Sequence, residues 1–191
     1  MVRTLCSGLL LVALTAHADA QPSSAQAEVL FRQGKQLMAA KNYPEACAAF
    51  DASQKLDPSL ATLLNQADCR EQNGQFATAW GLFLDAARQT RTASDAASVQ
   101  MHKVAGQRAA KFEPKLSKLT IVVAPDTKLP GLEITRNGTL VDPGTWNRTL
   151  PVDGGTFTVV AKAPGHVDWT KAITVGGSAD AQSVTIPTLA E

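Results

Sequence analysis

The chain is short of the residues that most often announce chemistry. Aromatic residues make up 5% of it, and it has three cysteines and three histidines. That is too few for a disulfide-built scaffold or a multi-metal protein. Charge of one sign is not in excess either: 18 Lys+Arg face 17 Asp+Glu, for a net charge of +1. Nucleic-acid binders and polybasic membrane-surface proteins work by charge excess, so both classes are excluded. No run of about 20 apolar residues exists, and a transmembrane span is not expected in the mature chain. Hydrophobic residues at 45% of 191 are nevertheless enough to bury a core.

The first segment reads as an address. Arg3 gives a positive start, Leu9 to Leu14 form a short apolar run, and Ala18-Asp19-Ala20 supplies a small-x-small cleavage site. We expect a Sec-type signal peptide over 1–20 and a secreted or periplasmic protein, an uncleaved anchor or a buried helix being the alternative. Residues 21–26 are expected as a loose lead-in. Removal of Cys6 with the signal would leave Cys47 and Cys69 in an oxidising compartment.

Beyond this point the chain divides. Residues 27–116 contain 19 alanines and 11 basic against 9 acidic residues, with apolar positions at helical spacing. Residues 117–191 contain 12 threonines, 9 valines, eight glycines and six prolines, which are strand formers separated by turn formers. Phe112-Glu113-Pro114 ends the helical pattern. The expectation is a two-domain α + β protein: a helical domain over 27–112, a hinge over 113–118 and a small all-β sandwich over 119–189.

The helical half carries an internal repeat. Gly34, Tyr43, Ala46, Phe50 and Ser53 recur, all at one constant offset, as Ala67, Phe76, Ala79, Phe83 and Ala86. Asn42 and Gly74 mark the turn inside each unit, and Leu56-Asp57-Pro58 closes the first. The small–aromatic–small–aromatic order at this period resembles the tetratricopeptide repeat, a generic helix bundle being the alternative. The expectation is two antiparallel helix pairs and a capping helix that runs to about Phe112, with Val99, Met101, Val104, Ala105 and Phe112 giving it an apolar face.

Cys47 and Cys69 lie eleven residues before and after Pro58. In an antiparallel hairpin equal distances place them at one level, ~16 Å from the turn at ~1.5 Å per residue. A disulfide is geometrically open to them, worth ~3 kcal/mol; two buried thiols are the other reading.

In the β half, strands are expected at Leu119–Val123, Leu132–Arg136, Thr139–Val141, Thr156–Lys162, Val167–Val175 and Ser183–Ile186. Asn137-Gly138 is the hairpin signal, since both residues tolerate positive φ. Asp153-Gly154-Gly155 and Ala163-Pro164-Gly165-His166 are further turns. The run from Pro151 to His166 resembles a PEGA domain, here with Asp153-Gly154-Gly155 where Pro-x-Gly is usual. A helical repeat followed by such a domain behind a signal peptide resembles bacterial cell-envelope proteins.

Catalytic constellations are missing from the sequence. There is no G-x-S-x-G, no phosphate loop, no H-E-x-x-H, no C-x-x-C and no calcium loop. His102 reads as a solvated helix residue and His166 as a packing residue after a turn. Asp126, Asp142, Asp153 and Asp168 read as turn-capping residues. Asn137-Gly138-Thr139 and Asn147-Arg148-Thr149 fit the glycosylation pattern, and in a bacterial chain read as turn residues. No enzyme, metal or cofactor is expected.

The tetratricopeptide resemblance implies a groove lined by the first helix of each pair. Carried onto this chain, it presents Glu28, Phe31, Lys35 and Met38, then Leu64, Asn65, Asp68 and Glu71. That mixture suits a protein or peptide partner. The leading expectation is therefore a non-enzymatic exported adaptor, with the β domain as spacer or second contact. The alternative is a binder of cell-wall polysaccharide that uses Trp146 and Trp169 as stacking surfaces.

Overall fold

The structure is a computed structural model and describes residues 23–191. The expected signal segment, 1–20, lies outside the described residues. Five helices come first: α1 (Ser23–Ala39), α2 (Tyr43–Leu56), α3 (Leu60–Gln72), α4 (Phe76–Gln89) and α5 (Ala96–Phe112). Seven strands follow: β1 (Ser117–Val122), β2 (Glu133–Arg136), β3 (Thr139–Leu140), β4 (Leu150–Val152), β5 (Gly155–Lys162), β6 (Trp169–Val175) and β7 (Ala181–Thr185). The α + β layout expected from composition is what the chain adopts. The expected loose lead-in is corrected, because Ser23 to Gln26 already belong to α1.

The repeat acts through its small residues. Gly34 and Ala67 are buried where the rings of Phe50 and Phe83 fill the gap between helices. Ala46 and Ala79 are wholly buried, and let the paired helices approach. Ser53 is buried on α2, where its hydroxyl donates to the Ala27 carbonyl at 2.8 Å. The turns inside the two units are also equivalent, with the left-handed residue of the first at Lys41 and not at Asn42. Asn42 N–H bonds to the Leu37 carbonyl and Lys41 N–H to Met38; Gln75 N–H bonds to Arg70 and Gly74 N–H to Glu71. Both are Schellman closures, with Lys41 at φ 58° and Gly74 at φ 73°, and the two positions keep the offset of the repeat.

Cys47 and Cys69 are joined in a disulfide that ties α2 to α3, with Cα atoms 5.5 Å apart. Equal distance from the Pro58 turn brings them level, and both face the shared seam. The capping helix turns differently from its expected face. Ala105, Ala109 and Phe112 are buried, while Val99 (50% exposed) and Val104 (38%) point outward. Phe112 stacks between Phe76 and Phe83, at 5.6 and 6.0 Å between ring centres. That aromatic stack closes the helical half.

The strands form two sheets, β4-β1-β7 and β3-β2-β5-β6. β1 pairs antiparallel with β4 and parallel with β7; every pairing in the four-stranded sheet is antiparallel. One apolar cluster including Leu119, Ile121, Ile134, Val159, Val184 and Ile186 lies between them. The Asn137-Gly138 hairpin forms as expected, with φ of 49° and 79°. Asn147 sits beside β1 at φ 62° and substitutes for a strand residue. Its side-chain amide accepts from Val123 N–H at 2.8 Å and donates to the Val123 carbonyl at 3.0 Å.

The expected hinge is partly structured. Glu113–Lys115 is a turn of 3-10 helix, and Ser117 already belongs to β1. Ser117 Oγ donates to the Gly176 carbonyl at 2.7 Å, and Ala179 N–H donates to the Lys115 carbonyl at 2.9 Å. Residues from Lys115 onward are thus fastened to the β6–β7 turn.

Candidate partner-binding groove

The eight groove residues divide into three kinds. Phe31 and Leu64 are core contributors. The Phe31 ring packs against Phe50 at 5.7 Å between centres, and Leu64 contacts the apolar clusters around Phe83 and around Leu63. Met38 also lends its side chain to the cluster around the disulfide. Glu28 is exposed and pairs with Arg32 on its own helix at 2.6 Å. Its neighbours are Phe31, Asp57, Ser59 and Thr62, in a separate small cleft at the start of the array.

The remaining four come together. Lys35 of α1 reaches Asn65 of α3, Nζ to Oδ1 3.4 Å, while the Asn65 amide also donates back to the Ala61 carbonyl. Asp68 and Glu71, about one and nearly two helical turns further along α3, both meet Arg108 of α5. Arg108 Nη2 lies 2.9 Å from Asp68 Oδ1 and bonds directly to Glu71, and its guanidinium lies 4.7 Å from the centre of the Phe83 ring. A cross-helix ladder therefore runs Lys35–Asn65, then Asp68–Arg108–Glu71. Beside it opens a cleft of about 430 Å³ lined by Met38, Lys41, Tyr43, Asp68, Gln72 and Arg108. Burial raises the Asp68 carboxyl above the ordinary value of 3.8, outweighing the opposing pull of Arg108.

Arg108 lies outside the expected set, although a signal for it exists. It stands within the stripe Ala105, Ala109, Phe112, and a charged head at the edge of a buried face has to meet the neighbouring helices. On the opposite side of α3, Arg70 pairs with Asp51 of α2 and donates to Gln75 at 2.8 Å. Gln66 donates to Asp51 at 2.8 Å, completing a polar brace between α2, α3 and the α3–α4 turn.

His102 and His166, the two histidines among the described residues, are occupied locally. His102 is half-buried, not a solvated face residue, and its Nδ1 lies 2.9 Å from the Ala87 carbonyl, tying α5 to the end of α4. His166 Nδ1 lies 2.9 Å from the Pro164 carbonyl, within its own turn. Asp142 caps its turn at Gly144 N–H as expected. Asp168 instead pairs with Lys162 across the β5–β6 connection at 2.6 Å. Asp153 does something else again: it leaves its own turn and caps α4.

Neither tryptophan of the β half is a free platform. Trp146, after the turn Pro143–Thr145, and Trp169, opening β6 opposite Ala161, are both half-buried and packed on the sandwich core. The Trp146 indole N–H is buried and has no partner among the described residues. Among the described residues no helix is long and apolar enough to cross a membrane. Compared with protein-family models, curated proteins and solved structures, the chain has no match.

Proposed function

We propose that this chain is a non-enzymatic exported adaptor that holds a segment of a protein partner against the faces of α1, α3 and α5. The reading includes the two resemblances, a tetratricopeptide-like array and a PEGA-like sandwich, and a periplasmic or secreted location. One observation carries it: the Lys35–Asn65 and Asp68–Arg108–Glu71 ladder spans three helices beside an open cleft. Polar side chains aligned across packed helices, with Met38 and Tyr43 as apolar neighbours, suit an extended or helical peptide carrying both charge signs. The packing of Trp146 and Trp169 onto the sandwich core weighs against the polysaccharide reading, since stacking on sugars needs open ring faces.

The test uses residues that contribute no core packing. Lys35→Glu and Lys41→Glu together reverse the exposed lysine of the ladder and that of the cleft beside it. Capture of partner from envelope extract should fall at least tenfold, with the thermal unfolding midpoint unchanged. Undiminished capture by this variant overturns the groove assignment. Phe31→Asp and Leu64→Asp are unsuitable probes, because a carboxylate at either position enters the core.

A further inference from the structure

We propose that Asp153 is a latch that sets the orientation of the β-sandwich on the helical array. α4 begins without a cap of its own. α3 is capped by Ser59, which accepts from Thr62 N–H, and α5 by Asp95, which accepts from Ser98 N–H. At the corresponding place on α4 stands Gln75, whose side chain makes no cap. Its Oε1 is already taken by Arg70 at 2.8 Å and by Asn73 at 2.7 Å. The free amide donors of the first turn of α4 need an acceptor from elsewhere.

Asp153 supplies it from the other half of the molecule. Its Oδ1 accepts from Ala77 N–H at 2.8 Å and from Thr78 N–H at 3.0 Å, and its Oδ2 accepts from the Thr78 hydroxyl at 2.5 Å. The carboxylate is delivered by a stiff support. Val152, just before it, is buried and pairs with Ser117 in the first register position of β1. Gly154, just after it, abuts the next turn so closely that a Cβ there would lie 2.5 Å from Gly177 Cα. The β4–β5 turn therefore has little freedom to move Asp153 independently of the sandwich.

The surroundings make these bonds decisive. Around the latch the two halves part into an open cleft of about 420 Å³, lined by Thr78, Arg136, Asn137, Gly154, Thr156 and Phe157 among others. The other connection is at Glu113-Pro114, where the chain itself crosses and the Lys115 ammonium stands 6.0 Å from the centre of the Phe76 ring; Lys115 onward is fastened to the sandwich. Two attachments fix an orientation, and one leaves a pivot. With the latch closed the sandwich moves as one body with α4; with it open the sandwich swings about Glu113-Pro114.

The test is a distance distribution between spin labels at Lys103→Cys on α5 and Lys171→Cys on β6, both exposed positions, with the Cys47–Cys69 bond left oxidised. The parent should give one narrow distribution. Asp153→Ala should broaden it, and Asp153→Asn, which keeps an acceptor oxygen, should give an intermediate width. A distribution as narrow in Asp153→Ala as in the parent overturns the proposal. Amide exchange on the unsubstituted protein provides a second measure. Ala77 and Thr78 N–H should be protected at least tenfold relative to a free amide, as a capped first turn requires. Exchange of both at the free rate overturns the latch without any variant having to fold.

Discussion

Gly34 and Phe50 are in closer apposition than any side chain at residue 34 would allow. A Cβ placed there would lie 2.7 to 2.9 Å from three carbons of the Phe50 ring, and that ring is wholly buried. Gly34→Ala gains helix propensity worth about 1 kcal/mol but overpacks by roughly 1–3 kcal/mol. The net expectation is a loss of up to about 2 kcal/mol in urea unfolding. The equivalent pair further along, Ala67 and Phe83, already accommodates the methyl. Ala67→Gly should therefore also lose about 1–2 kcal/mol, through helix propensity and a lost packing contact. A neutral Gly34→Ala would mean that the Phe50 ring can shift.

Lys41 occupies a left-handed position that Gly74 fills in the second unit. A side chain there costs roughly 1 kcal/mol that glycine does not incur. Lys41→Gly should stabilise the helical half by up to about 1 kcal/mol, visible as a higher midpoint in thermal unfolding. No gain would show that the lysine side chain compensates in place, at the edge of the cleft it lines.

The disulfide closes a loop with a sequence separation of 22. Loop-closure entropy sets its contribution at about 3 kcal/mol. Replacing both cysteines by alanine should lower stability by that order, and a reductant should reproduce the loss in the parent while leaving the variant unaffected. If reductant leaves the parent unchanged, the bond does not constrain the unfolded chain as described.

Acid should act on this protein with two opposite signs. Asp95 is held below its ordinary value of 3.8 chiefly by the Ser98 amide, and Asp180 chiefly by the Gly176 amide. Each contributes stability above 3.8 that is lost as pH falls through its lower folded value. Asp68 is raised by burial, so its ionised form weakens the fold at neutral pH, and the cost is relieved as pH falls through its raised folded value. Unfolding midpoints of Asp95→Asn and of the parent should therefore converge from below on acidification. Those of Asp68→Asn should converge from above, or at least move in the opposite direction relative to the parent. The same direction for both variants would contradict the environment assigned to Asp68.

What is legible in the sequence is local or periodic. The constant offset between the two units carries the helix pairs, and Asn137-Gly138 carries its hairpin, because in each case neighbours in sequence decide the outcome. β4 is hidden because it is three residues long with Pro151 at its centre, and proline is not a strand former. It is tolerated there because β4 is the edge of its sheet, where a missing N–H breaks no ladder on the outer side. Asp153 reads as a turn residue because the amides it caps lie 75 and 76 positions away. Arg108 and its two carboxylates, Asp68 and Glu71, likewise meet only through the packing of α5 on α3. Long-range polar pairing leaves no periodic trace, and it is what builds both the groove ladder and the latch.

The parallel pairing of β1 with β7 has a consequence for how the protein folds. The helical array is closed by contacts between successive helices and by Phe112, all of which precede β1 in the chain. β1 is next in line, yet its longest pairing, Lys118 to Val122, is with Ala181 to Thr185. The central strand of that sheet therefore completes its pairing only when a segment far along the chain folds back onto it, beside a helical body built from local contacts. Such non-local closure is slow. Until β7 docks, one edge of β1 stays unpaired, and in that interval the protein is most exposed to association with other chains.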